Sequence, residues 1–145
     1  MDDIDIKILK LLQEDSRISY TDLSNHVGIS ETAVRRRVKK LIDEGIITKF
    51  TIKIDTEKIG KGVTAFVGVD VGGEMGPVAG SGLLNDPAIS ELYTVTGDFD
   101  LLIKVTCKDV KELEGVIERV RGMEFTKTTR THVVLRKLKE APIEP

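Results

Sequence analysis

Hydrophobic positions in the first third of the chain recur with the period of an α-helix. Residues 2–15 and residues 31–44 each carry one apolar stripe, and a shorter helix fits between them. Gly28 suits the tight exit of that short helix, and Ser30 can cap the helix that follows. The stripe positions are Ile4, Ile8, Leu11, Leu12, Val34, Val38, Leu41 and Ile42. The pattern predicts three helices with a glycine turn before the third, which is the outline of a helix-turn-helix.

From residue 46 onward the pattern changes to the alternation that is typical of β-strands. The segment IITKFTIKI at 46–54 alternates apolar and polar residues, so it predicts a strand beside the three helices. Residues 55–62 are charged and contain two glycines, and we interpret them as a hinge. The remaining pattern predicts the order β-α-β-β-α-β, which is the ferredoxin-like motif. Its predicted strands lie at 63–71, 88–97, 99–107 and 126–138, and its predicted helices lie at 74–85 and 109–121.

Composition indicates a folded protein of the cytoplasm and offers no chemistry for catalysis. The 145 residues are 40% hydrophobic and 32% charged, with a net charge of −2. A single cysteine, Cys107, suits a reducing compartment, and we expect neither a signal peptide nor a membrane span. His26 and His132 have no partners at metal-ligand spacing. We therefore expect no metal, no cofactor and no catalytic residue.

Basic residues crowd one segment of the third predicted helix. Five of the seven residues from Val34 to Lys40 are basic, and none is acidic. Because the apolar stripe must pack inward, the outer face is left for a DNA major groove, with Arg36 and Thr32 at base edges and the other cations at phosphates. The alternative is that these cations only solvate a surface helix, but their place after a capped glycine turn favours DNA. The predicted DNA-binding residues are Ser30, Thr32, Ala33, Arg35, Arg36, Arg37, Lys39 and Lys40.

Four stretches in order resemble the Lrp/AsnC, or feast/famine, family of bacterial and archaeal regulators. They are DDIDIKILKLLQEDSRIS (2–19), VGISETAVRRRVKKLIDEGII (27–47), VTGDFDLLIKV (95–105) and TRTHVVLRKLK (129–139). The resemblance implies homodimers that assemble further into tetramers or octamers, and a response to amino acids. The two helix-turn-helix units of a dimer would favour pseudo-palindromic sites in double-stranded DNA.

The predicted fold class is α+β, with an N-terminal winged helix-turn-helix of three helices plus a strand. A ferredoxin-like domain follows, and the resemblance assigns to it ligand sensing and oligomerisation. The predicted domains are a DNA-binding domain at 1–54, a hinge at 55–62, an effector-binding and dimerisation domain at 63–139, and a loose polar tail at 140–145.

One turn between two predicted strands resembles the family's Gly-Asp-Tyr-Asp motif, with Phe99 in place of the tyrosine. In relatives this turn and the last strand line the pocket for an amino acid. The effector-binding residues that the resemblance implies are Thr96, Gly97, Asp98, Phe99, Asp100, Thr129 and Thr131. Gly-Asp between two apolar strands is also what a plain hairpin turn requires, so both interpretations stay open.

The leading hypothesis is a sequence-specific transcriptional regulator that is not an enzyme, and two alternatives share its scaffold. An architectural protein would wrap DNA with little specificity through the same basic helix. An enzyme of the kind that decarboxylates a tetrapyrrole in this superfamily would need clustered His, Arg or Tyr side chains. The C-terminal half has a single histidine, His132, a single tyrosine, Tyr93, and no nucleophile–base pair, which disfavours this alternative.

Overall fold

The computed structural model describes residues 1–72, 76–79 and 81–145. Contacts divide the chain into two compact units. The first unit combines Met1–Lys53 with Lys139–Pro145, and the second is Ile54–Leu138. None of the helices in the described ranges has the length and apolar content needed to cross a bilayer.

Capping residues determine where the three helices of the first unit begin. Asp2 and Asp5 form a capping box, in which each carboxylate accepts the other residue's backbone N–H at 3.0 Å. Ser19 and Ser30 each accept the backbone N–H three residues later. Gly28 ends the second helix with a φ of 73°, in the left-handed region that favours glycine. The helices are α1 (Asp3–Glu14), α2 (Tyr20–Val27) and α3 (Glu31–Asp43).

A small apolar core joins the three helices. Its side chains are at most 2% exposed, and burial of each Leu or Ile stabilises the fold by about 1.5–3 kcal/mol. Ile42, which the pattern also placed on the inner stripe, is 43% exposed instead. The fully buried members are Ile8, Leu23, Val34, Val38 and Leu41. The core therefore anchors one side of α3 and leaves the opposite side to solvent.

The predicted strand at 46–54 is wrong for this chain, because these residues form no strand ladder. Phe50, Ile52 and Ile54 are all exposed. An alternating pattern is compatible with a strand, but a strand forms only where a neighbouring strand hydrogen-bonds to its backbone N–H and C=O groups. Within the residues that the structure describes, none supplies that pairing.

The C-terminal tail, which the sequence predicts to be loose, is in contact with α1. The Gln13 side-chain amide donates to the carbonyl of Ile143 at 3.0 Å, and Lys10 forms an ion pair with Glu144. Glu140 pairs with Lys53 at 3.1 Å. These contacts explain why the last residues of the chain belong to the first unit.

The second unit is a four-stranded antiparallel sheet with the order β2-β3-β1-β4. This order follows from two crossovers, because the helical segment between β1 and β2 passes β3 and the helix between β3 and β4 passes β1. It confirms the ferredoxin-like prediction. The strands are β1 (Val63–Asp70), β2 (Ile89–Thr94), β3 (Leu101–Cys107) and β4 (Thr128–Val133).

One face of this sheet is buried under a single long helix. Alternate residues of the two central strands point to that face, as strand geometry requires. The helix α5 (Val110–Arg121) begins at Asp109, whose carboxylate accepts the backbone N–H of Glu112, and contributes its own apolar stripe. The buried side chains include Ala65, Val67, Val69, Leu101, Ile103, Val105, Leu113, Val116 and Val120.

The first crossover differs from the continuous helix that was predicted at 74–85. Its described part consists of a four-residue helix, α4 (Gly76–Ala79), and a short 3₁₀ helix (Gly82–Asn85). Residues 74, 75 and 80 of the prediction lie outside the described residues. Glycine and proline are the poorest helix formers, so Gly76, Pro77 and Gly82 explain why the helical pieces are short.

Candidate nucleic-acid interface and effector site

The predicted DNA-binding residues divide between the outer face of α3 and its two edges. Thr32, Arg36, Lys39 and Lys40 are exposed on the side opposite the buried core. Ala33 is half-buried, and Ser30 holds the start of the helix by accepting the N–H of Ala33 at 3.1 Å. The exposed face therefore has the form that a recognition helix needs to enter a major groove.

Arg35 lies at the edge of α3 that faces α2, where it is held on two sides. Its guanidinium donates to Glu31 at 3.0 Å and lies 4.5 Å from the ring centroid of Tyr20. The second carboxylate oxygen of Glu31 accepts the Thr21 hydroxyl at 2.9 Å. The hydrogen bonds from Thr21 and Arg35 lower the pKa of Glu31, so this carboxylate is charged at neutral pH. Arg35 therefore joins α2 to α3.

Arg37 lies at the opposite edge, where it joins α3 to the start of α1. Its guanidinium donates to both oxygens of Asp2, at 2.9 and 2.8 Å, and to Asp5 at 2.8 Å. Burial opposes the charge on Asp5, but the backbone N–H of Asp2 and the guanidinium of Arg37 hold its pKa below the ordinary value. The pKa of Asp2 is lowered by the Asp5 backbone N–H and by Arg37. Arg37 thus has internal partners where the sequence predicted a phosphate contact.

Arg36 differs from the other cations of the helix. Lys39 pairs with Asp43 at 2.6 Å and Lys40 with Glu44 at 3.7 Å, in addition to the partners of Arg35 and Arg37. Among the residues that the structure describes, no acidic group pairs with Arg36. Its guanidinium is exposed at the centre of the outer face and keeps all its N–H donors for a ligand.

The predicted effector turn connects β2 to β3, and Gly97 and Asp100 determine its shape. Gly97 has a φ of 106°, which a side chain would make costly. Asp100 accepts the backbone N–H of Val71 at 2.8 Å, and its own N–H donates to the carbonyl of Val69 at 2.9 Å. Asp100 therefore fastens the turn to the end of β1, whereas Thr96 and Asp98 are exposed.

The ring of Phe99 lies directly on the backbone of β1. A methyl group added at Gly68 would come within 2.5 Å of this ring. The Arg130 guanidinium lies 5.8 Å from the ring centroid, and the His132 ring meets it edge-on at 6.4 Å. That Gly68, Arg130 and His132 surround this ring was not predicted from the sequence. A glycine inside a strand was the available signal, because it often marks a close approach.

Thr129 and Thr131 lie on the other face of the sheet from Phe99. They pair with Val69 and Val67, whose side chains are buried beneath α5, and Arg121 donates to the Thr129 hydroxyl at 3.1 Å. Directly paired strand residues share a face. The structure therefore brings the turn residues together but does not bring the two threonines onto the same surface.

Comparison with known proteins connects both units to one family. Residues 1–48 match the family model for winged helix-turn-helix DNA-binding, and residues 64–143 match the model for the Lrp/AsnC ligand-binding domain. The HTH-type transcriptional regulator FL11 of Pyrococcus furiosus is 36% identical over 97% of this chain and 93% of its own length.

Solved structures agree over the whole length. AsnC of E. coli superposes with a TM-score of 0.91 at 27% identity, covering 100% of this chain and 99% of AsnC. The complex of regulator NMB0573 from Neisseria meningitidis with L-Met has a TM-score of 0.89 at 25% identity, covering 97% of this chain and 94% of that one. The order of the elements, the basic outer face of α3 and these matches together show that the chain belongs to the Lrp/AsnC family of transcriptional regulators.

Proposed function

We propose that this regulator reads pseudo-palindromic sites in double-stranded DNA through α3, as a homodimer or a larger assembly, and that an amino acid modulates its binding. The observation that carries the proposal is the guanidinium of Arg36, which has no acidic partner among the described residues and lies on the exposed face of a capped, core-anchored helix. An Arg side chain with free donors can form two hydrogen bonds with the edge of guanine. We propose that the protein acts by binding and not by catalysis.

The other residues of α3 divide between base and phosphate contacts in this proposal. Thr32 and Ala33, near the start of the helix, are placed to meet a base edge or a thymine methyl group. Lys39 and Lys40 are suited to phosphates, which supply affinity with little sequence information. Ser30, Arg35 and Arg37 would add phosphate contacts only by sharing or giving up the internal partners described above. We also propose that the protein works in the cytoplasm, in keeping with its family of DNA-binding regulators.

Self-association is supported by large apolar side chains that a single chain leaves uncovered. In the second unit, Leu135 and Leu138 are 98% and 86% exposed. Exposure of several such residues is typical of surfaces that a partner covers. We propose that a second copy of the chain covers them, in a dimer that assembles further into a tetramer or octamer.

The turn at 96–100 is the proposed place for an amino-acid effector. The L-Met complex of the Neisseria regulator supports an amino acid as the ligand class. The exposed carboxylate of Asp98 can accept from an ammonium group, and the backbone N–H groups beside Gly97 can donate to a carboxylate. Asp100 already holds the turn, so Asp98 is the better candidate for direct contact.

Selection of bound fragments from random duplex DNA, with and without each common amino acid, tests this proposal. We expect enrichment of a two-fold symmetric site and a change in occupancy with at least one amino acid. Binding without any enriched site would support the low-specificity architectural alternative. Enrichment that no amino acid changes would contradict the proposed sensing.

A further inference from the structure

Two lysines on the outer face of α3 each have a carboxylate one turn further along the chain. The amine of Lys39 lies 2.6 Å from Asp43, and the amine of Lys40 lies 3.7 Å from Glu44. Asp43 is the last residue of α3 and Glu44 is its C-cap. All four side chains are largely exposed, so a ligand can reach the lysine amines.

Helix stability does not explain these carboxylates. An i,i+4 pair is more favourable with the acid before the base, and here the base comes first. The C-terminal end of a helix carries partial negative charge and favours cations, so Asp43 and Glu44 lie at the unfavourable end. Exposed pairs of this kind contribute little to folding in any case. Neutral residues at both positions would suit the helix at least as well.

We infer that Asp43 and Glu44 are internal counterions, which compete with DNA phosphates for Lys39 and Lys40 and so set the affinity of α3 for any duplex. This inference rests on the proposed function. A phosphate that approaches either amine must displace the carboxylate or share the amine with it, and the displaced carboxylate then repels the DNA backbone. The expected result is weaker general binding with a smaller dependence on salt.

The two carboxylates do not weaken the base contacts that we propose for Arg36. Arg36 has no acidic partner among the described residues, whereas Lys39 and Lys40 each have one. Base contacts from Arg36 are therefore not attenuated, while the phosphate contacts are. A larger share of the binding free energy then comes from the contacts that distinguish one sequence from another.

Single substitutions D43N and E44Q test this role in the full-length chain. Binding is measured on a selected site and on a scrambled duplex across a range of salt concentrations. We expect each variant to bind both duplexes several-fold more tightly at low salt, with the slope of log affinity against log salt steeper by up to about one unit per carboxylate. Thermal melting should show no loss of stability.

The matched control is E14Q, which removes the same charge from the exposed last residue of α1. We expect E14Q to bind like the wild type. An equal gain in E14Q would assign the effect to net charge and overturn the inference. Unchanged affinity and slope in D43N and E44Q, with a wild type that binds duplex DNA, would also overturn it. Failure of the wild type to bind any duplex would instead reject the proposed function.

A second comparison tests the pairing itself. In a K39Q background the amine that Asp43 neutralises is absent, so D43N should give little further gain. A gain as large as in the wild-type background would show that the carboxylate acts only by general repulsion, which contradicts the counterion role.

Discussion

Arg36 differs from the two arginines beside it in α3, because no acidic group in the described part of the chain pairs with its guanidinium. The sequence predicts a base contact for Arg36 and phosphate contacts for Arg35 and Arg37, but the structure holds Arg35 against Glu31 and Arg37 against Asp2 and Asp5. The Glu31–Arg35 pair follows from i,i+4 spacing within α3, whereas the partners of Arg37 could not be predicted, because they depend on how α1 packs on α3. The outward direction of Arg36 could be predicted, because it follows from the helical period alone.

Replacement of Arg36 by alanine should reduce affinity for the selected site and relax its base preference. Loss of a two-bond contact to guanine costs about 1–3 kcal/mol of discrimination. Competition binding with single-base variants of the site measures the effect. K40A is the comparison, because we expect it to weaken all sequences about equally. A preference that survives in R36A would assign the reading role to another residue.

The two aspartates of the effector turn should behave differently when each is changed to alanine. Asp100→Ala removes the acceptor for the Val71 N–H and should lower the free energy of unfolding by about 1–3 kcal/mol. Asp98→Ala should leave stability unchanged and abolish the amino-acid response of DNA binding. Denaturant titration and binding assays with the effector distinguish them. A full response in D98A would remove Asp98 from the proposed site.

At the scale of elements, local periodicity predicted most helices and strands, and pairing across the chain decided the rest. Helices α1, α3 and α5 and strands β1 and β3 could be predicted from the sequence, because each apolar pattern depends only on residues close together in the chain. The segment 46–54 has equally good alternation but forms no strand, because a strand depends on a neighbour that the pattern cannot reveal. The contact between Phe99 and Gly68 likewise depends on how the turn folds over β1.

The contact between the Phe99 ring and β1 should make Gly68 intolerant of any side chain. Gly68→Ala would place a methyl group 2.5 Å from the Phe99 ring, and overpacking of this kind costs about 1–3 kcal/mol. Chemical denaturation measures the loss. Because the clash is with one ring, the cost of G68A should shrink in an F99A background. Equal costs in both backgrounds would show that the strain lies elsewhere.

The ion pair between α1 and α3 should make the first unit sensitive to acid. Asp2 and Asp5 have folded pKa values below the unfolded value of about 3.9, so their stabilisation is complete above that pH. It is lost as the pH falls through the lower folded values, because protonation then breaks the contacts with Arg37. In R37Q we expect a lower melting temperature at neutral pH and a smaller further loss in acid. Parallel acid-induced losses in both proteins would contradict this.

For the whole molecule, the family and the order of the secondary-structure elements could be predicted from short motifs. The surfaces through which copies of the chain associate could not. The order of the sheet and the two family matches agree with the predicted architecture. The effector residues are only partly brought together, because Thr129 and Thr131 lie on the opposite face from Phe99. The sequence cannot reveal which of these surfaces meet in an assembly.

Leu135→Lys tests the proposed self-association. A charge on this exposed residue should reduce the size of the assembly, because its burial by a second copy would become unfavourable. Light scattering after size-exclusion chromatography measures the mass. Leu84→Lys, at another exposed leucine of the same unit, is the control. Identical masses for L135K and the wild type would place the interface elsewhere.

The return of the last seven residues to α1 has a practical consequence for anyone who labels or divides this protein. Because residues 1–53 and 139–145 both belong to the first unit, fluorophores attached in either range would report on that unit. A fragment that ends at Lys53 lacks Ile143 and Glu144, which are the partners of Gln13 and Lys10. Such a fragment therefore does not reproduce the complete first unit. A probe of the sheet must be introduced at an internal position.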